Sequence, residues 1–138
     1  MKFNIKTCGI LMGFLLANHM VFAGQNTVLY ENKQGSTLEL NFTQQNTLTG
    51  TFTTAIASKK CQSVIGTKRP VIGYIDGTAI TFSINYPSCG SIVTLTGHIT
   101  PQKDIIDAIT VIAHQTKTLT KDMNAQLIRH DTFVKKSA

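Results

Sequence analysis

Apolar and polar residues alternate with a period of two along most of this chain, in eight short segments separated by turn-forming residues. Between Ser36 and Thr43, Leu38, Leu40 and Phe42 alternate with Thr37, Glu39 and Asn41. From Thr47 to Ile56 the alternate positions hold Leu48, Gly50, Phe52, Thr54 and Ile56. A period of two puts successive side chains on opposite faces of a β-strand, and the Thr-rich, β-branched composition favours strand over helix. The other segments run Thr27 to Glu31, Val71 to Ile75, Ala79 to Tyr86, Ser91 to Thr100, Ile105 to Ala113 and Met123 to Val134. Short turns join most of them, among them Asn32-Lys33-Gln34-Gly35 and the hairpin signal Asp76-Gly77. Only Ala57 to Pro70 forms a long connection, while His114 to Asp122 reads as a polar loop. This pattern predicts an all-β fold, an eight-stranded antiparallel up-and-down β-barrel. An open β-sandwich is the competing arrangement, but no long Greek-key return is evident. The lumen of an eight-stranded barrel is either filled by side chains or holds one small ligand.

Composition changes this picture at the N-terminus. Met1 to Ala23 has a basic start (Lys2, Lys6), an apolar stretch from Cys8 through Ala17 and a small residue before Gly24. These are the features of a secretory signal peptide. The stretch falls short of the roughly 20 residues of a membrane span. The expected domain is therefore 24–138, and the expected destination is extracellular or periplasmic. Losing two lysines lowers the formal charge of +6 to about +4. The paired cations Lys59–Lys60, Lys68–Arg69 and Lys135–Lys136 fall in loops and the tail, without interleaved aromatics. Nucleic acid is accordingly not an expected partner, and neither is membrane.

Export leaves two cysteines, Cys61 and Cys89, in an oxidising compartment. A disulfide between them would close a loop of about 28 residues, contributing about 3.5 kcal/mol in the chain-entropy description. Two free thiols or a two-ligand metal site are the alternatives, but no histidine stands at zinc-ligand spacing near either cysteine. His98, His114 and His130 likewise form no ligand pattern, and neither a nucleophile elbow nor a phosphate-cradling glycine loop is present. The chain is not expected to be an enzyme, and no cofactor or metal is expected.

Four strings occur in order: Asn32-Lys33-Gln34-Gly35-Ser36-Thr37, Leu48-Thr49-Gly50-Thr51-Phe52, Gly77-Thr78-Ala79-Ile80-Thr81-Phe82-Ser83 and His130-Asp131-Thr132-Phe133-Val134-Lys135. Together they resemble the avidin and streptavidin family over nearly the whole chain. With its two cysteines, the chain is most similar to the disulfide-bearing dimeric bacterial avidins typified by rhizavidin. The resemblance implies a homodimer whose bridge pre-shapes the pocket, and biotin as a ligand, not a cofactor, at one mouth of the barrel. It assigns Asn32 and Ser36 as donors to the ureido oxygen, Thr54 and Asp131 as acceptors from the two N–H groups, and Ser91 as a contact for the carboxylate tail.

Phe52 stands where the family has a tyrosine, which removes one donor. The chain has no tryptophan, and Tyr86 and Leu95 take two places of the aromatic cage. Met123 stands where tetrameric members lend a tryptophan to a neighbour. A further wall should come from Thr110, Val111 or Ile112, whose register one sequence does not fix. These departures predict weaker biotin binding than in typical avidins. They also leave open a barrel with a decayed or altered pocket, acting as an interaction protein or holding another small ligand. An open lumen favours the binder and a filled one the interaction protein.

Overall fold

The computed structural model describes residues 27–116 and 126–137. The expected leader 1–23 and Met123 lie outside the described residues. Eight strands follow one another: β1 (Thr27–Asn32), β2 (Thr37–Phe42), β3 (Thr47–Thr53), β4 (Lys68–Asp76), β5 (Ala79–Tyr86), β6 (Ser91–Ile99), β7 (Ile105–His114) and β8 (Gln126–Lys135). Each pairs antiparallel with the next, and β1 closes on β8 through Tyr30 with Lys135, Glu31 with Val134 and Asn32 with Phe133. The result is the closed up-and-down barrel, and the sandwich is excluded. Closure leaves no long unpaired edge.

Among the described residues, strand ends fall within one residue of the expected ones except at the end of β3 and the start of β4. β3 stops at Thr53 instead of Ile56, because the Thr54 hydroxyl donates to the Ile56 carbonyl at 2.6 Å and turns the chain locally. β4 begins at Lys68, three residues earlier than expected, and so contains Pro70. Proline is tolerated because its position pairs with Thr51 on β3, while the ladder with β5 begins only at Val71. Where that ladder is missing, Arg69 donates from Nε and Nη2 to the Asn85 carbonyl at 3.0 and 2.8 Å.

The alternation sorts the lumen from the exterior. Leu38, Leu40, Leu48, Ile80, Phe82, Ile84, Ile99 and Ile106 point inward and are buried, each fully buried side chain contributing about 1.5–3 kcal/mol. Tyr30 joins them, its hydroxyl donating to the Lys103 carbonyl at 2.9 Å. Leu48, Ile80, Ile99, Ile106 and Tyr30 lie toward the end where the turns 43–46, 77–78 and 100–104 gather, and they close that end. Gly50 has no side chain because β2 lies too near: a Cβ there would fall 1.8 Å from the Glu39 carbonyl oxygen. In the β4–β5 turn, Gly77 supplies a φ of 57° that other residues rarely adopt.

Candidate functional site

At the other end, where β1–β2, β3–β4 and β5–β6 connect, the lumen is open. A cavity of about 220 Å³ enters there, lined mostly by apolar side chains. It exceeds the roughly 150 Å³ apolar cavity known to admit benzene. Phe52, Thr54, Tyr86, Ser91, Leu95 and Asp131 all line it, and so do Cys61 and Cys89.

Cys61 and Cys89 form a disulfide with their Cα atoms 5.7 Å apart. The bridge ties a 3-10 segment, Lys59–Val64, to a second one at Pro87–Cys89. The β3–β4 connection thus becomes a fixed wall: Ser58, Cys61 and Val64 from this loop all face the cavity. The base of the loop is held by Gly66 N–H donating to the Thr54 carbonyl at 3.0 Å.

Asn32 and Ser36 are buried but do not line the cavity. Asn32 Oδ1 accepts from the backbone of Gln34 and Ser36 at 3.1 and 2.9 Å, and Ser36 Oγ accepts from Ala55 N–H at 3.0 Å. Both therefore shape the β1–β2 turn and its contact with the end of β3. Their donors are not used in these bonds, and Asn32 Nδ2 is buried with no partner. Asn32 pairs with Phe133 in the β1–β8 register, and Phe133 meets Phe52 edge-on at 6.2 Å in the cavity wall.

Tyr86 fills part of an aromatic wall, with the Arg69 guanidinium 5.9 Å from its ring centre. Its hydroxyl is buried without a partner, and burial pushes its pKa up to about 12, an effect that Arg69 partly opposes. Ser91 and Leu95 stand on β6, and across the β6–β7 register Leu95 faces Thr110. This settles the wall left open by the sequence, since Thr110 and Ile112 face the cavity and Val111 does not line it.

Asp131 is a buried acid in the cavity wall, its side chain only 2% exposed. Thr110 Oγ1 donates to its Oδ2 at 2.6 Å. Arg129 donates to the same oxygen from Nε at 2.9 Å and Nη2 at 2.8 Å. Sequence reasoning missed Arg129. A signal is present in the sequence, because residues two apart on a strand share a face and the resemblance makes Asp131 a ligand contact. Among the described residues, no group of histidines, cysteines and acids has the arrangement to hold a metal.

A model of the Avidin family matches residues 22–136, which is most of the chain. This chain belongs to the Avidin family. Solved structures agree. A shwanavidin variant crystallised with biotin is 27% identical, with a TM-score of 0.63, over 79% of this chain and 94% of that one. Core-bradavidin is also 27% identical, with a TM-score of 0.66, over 80% and 99%. Bradavidin is 26% identical, with a TM-score of 0.67, over 83% and 82%. No curated protein sequence matches the chain. Within this avidin fold, the open end of the barrel, the disulfide wall and the buried carboxylate are parts of one site.

Proposed function

We propose that this protein is a non-enzymatic binder that takes biotin into the open end of the barrel. The observation that carries the reading is the open apolar cavity with Asp131 buried in its wall, in a chain whose family relatives include a biotin complex. A cyclic urea brings two N–H donors and one acceptor oxygen, so a dry pocket must offer two acceptors and donors together. Asp131 and the Thr54 hydroxyl supply acceptors, and the unpartnered Asn32 Nδ2 and Ser36 O–H are donors beside the wall. The open lumen supports this reading over an interaction protein with a plugged barrel.

Affinity is expected to fall below that of typical avidins. Each missing aromatic contact removes about 0.5–1.5 kcal/mol beyond its area, and the donor absent at Phe52 costs about 1–3 kcal/mol if its partner stays buried. Every 1.4 kcal/mol is tenfold in Kd.

Homodimerisation is part of the proposal. Ile72, Ser83, Thr94, Val111 and Ile128 form one row across the outer face of β4 to β8. Ile72 and Ile128 are 68% and 67% exposed there, and Tyr74, Ile92 and Ile109 lie exposed on the same strands. Apolar surface of this kind marks interaction sites. Met1 to Ala23 is assigned to export, which places the protein outside the cytoplasm.

Thermal unfolding in millimolar biotin tests the reading. A ligand at a hundredfold excess over Kd adds about 2.7 kcal/mol, which raises Tm by roughly 10 °C for a domain of this size. No shift at millimolar biotin contradicts the proposal.

A further inference from the structure

Arg129 occupies a position that the biotin reading does not explain. Among the described residues that line the cavity, Asp131 is the one acid, Arg129 the one permanent cation and His114 the one histidine. β8 runs from the open end inward, so Arg129 and Asp131 share its inner face with Arg129 nearer the mouth. The register agrees: Arg129 pairs with Thr110, and Asp131 with Ala108, two residues deeper on β7. The exposures follow the same order, 32% for the Arg129 side chain and 2% for Asp131. A ligand entering the barrel thus meets the guanidinium before the carboxylate.

Charge and bonding capacity point the same way. A carboxylate offers about four lone-pair sites, two on each oxygen. Thr110 and the two Arg129 nitrogens place three donors on Oδ2, which leaves that oxygen no room for a ligand N–H. The pair also cancels the negative charge that would draw a cation to the floor of the pocket. Neither Arg129 bond uses Nη1, whose N–H groups can donate to a ligand oxygen. Lys59 and Lys60 add exposed positive charge on the loop beside the mouth, whereas Asp76, the last residue of β4, and Asp104 lie at the closed end.

We propose that Arg129 is a specificity-determining residue of this pocket, which makes the site select a ligand head carrying an acceptor oxygen and reject a cationic head of the same shape. The inference rests on the biotin reading and deepens it. Carbonyl and carboxylate heads accept from the guanidinium, while a protonated guanidino head meets a like charge at close range and finds Asp131 already neutralised.

The test compares two ligands of nearly equal shape on the purified protein at pH 7. Biotin presents a ureido oxygen. In 2-iminobiotin a protonated guanidino group replaces the urea, so the acceptor becomes an N–H donor. The quantity read is the ratio of their dissociation constants for the native protein, Arg129→Gln and Arg129→Lys, each first shown to be folded by circular dichroism. The inference expects a ratio above about 100 in the native protein, retained by Arg129→Lys, which keeps the cation, and reduced at least tenfold by Arg129→Gln. A ratio unchanged by Arg129→Gln overturns the inference alone, because Arg129 then merely swings into solvent. Absence of biotin binding in all three proteins overturns the biotin reading and the inference with it.

Discussion

Breaking the Cys61–Cys89 bridge perturbs stability and site together, and its size follows from the fold. The bridge spans 28 residues, so the chain-entropy description assigns it about 3.5 kcal/mol at 25 °C. An unfolding entropy of about 2.1 cal/mol/K per residue gives a domain of roughly 115 residues about 0.24 kcal/mol/K. The double variant Cys61→Ser/Cys89→Ser should then melt about 15 °C below the native protein. Thermal unfolding followed by circular dichroism reads this directly, and reducing the native protein with a phosphine should reproduce it. Ligand binding should weaken without vanishing. Ser58, Cys61 and Val64 lose their tether to the β5–β6 connection and must be ordered when ligand enters, at about 1–2 kcal/mol per backbone residue fixed. Val64 remains buried and Gly66 remains bonded to Thr54, which limits the loss to roughly tenfold to a hundredfold in Kd. A melting shift under about 3 °C refutes the reasoning, since the loop would then be as restricted without the bridge as with it.

Further outcomes follow from particular groups. Asp131→Ala strips the partners from buried Thr110 and partly buried Arg129 and should cost about 2–4 kcal/mol, at the lower end because Arg129 can turn to water; urea unfolding measures it, and a loss under about 0.5 kcal/mol contradicts the bonding at Oδ2. Tyr30 and Tyr86 both have pKa values raised from 10.0 to about 12, chiefly by burial, with Asp104 adding to the rise at Tyr30 and Arg69 opposing it at Tyr86. The folded state therefore holds these protons more tightly than the unfolded one. The stability they confer is complete below pH 10 and lost as pH rises through about 12, so tyrosinate absorbance from both should appear only with unfolding, and Tyr30→Phe and Tyr86→Phe assign the two contributions. Ile128→Lys puts a charge into the exposed outer row and should convert a dimer to a monomer by light scattering with the fold unchanged; an unaltered mass excludes that face.

Sequence pattern carried most of the fold because one face of every strand meets the lumen, which makes the period of two strong wherever Leu38, Leu40, Ile80, Phe82 and Ile84 stand. It misled where a local bond overrides periodicity. Thr54 and Ile56 continue the alternation of β3, yet the Thr54 hydroxyl turns the chain out of the sheet. Pro70 reads as the end of the long connection but sits in β4, since only the pairing with β5 decides whether its missing N–H matters. In the site, Asp131 was legible from a string of neighbouring residues. Its partners were not, because Thr110 reaches it only through the β7–β8 register and Arg129 through sharing its face. The resemblance assigns Asn32 and Ser36 as ligand donors, whereas the bonds the structure shows for them shape the β1–β2 turn and its contact with Ala55, and neither residue lines the cavity.

The central claim is tested most directly by calorimetric titration of biotin into the purified protein with its disulfide intact, beside Asp131→Ala. The account predicts saturable binding of one biotin per chain, with affinity reduced at least a hundredfold in Asp131→Ala, about 2.7 kcal/mol. No heat and no saturation at millimolar biotin, or equal binding by the variant, contradicts it.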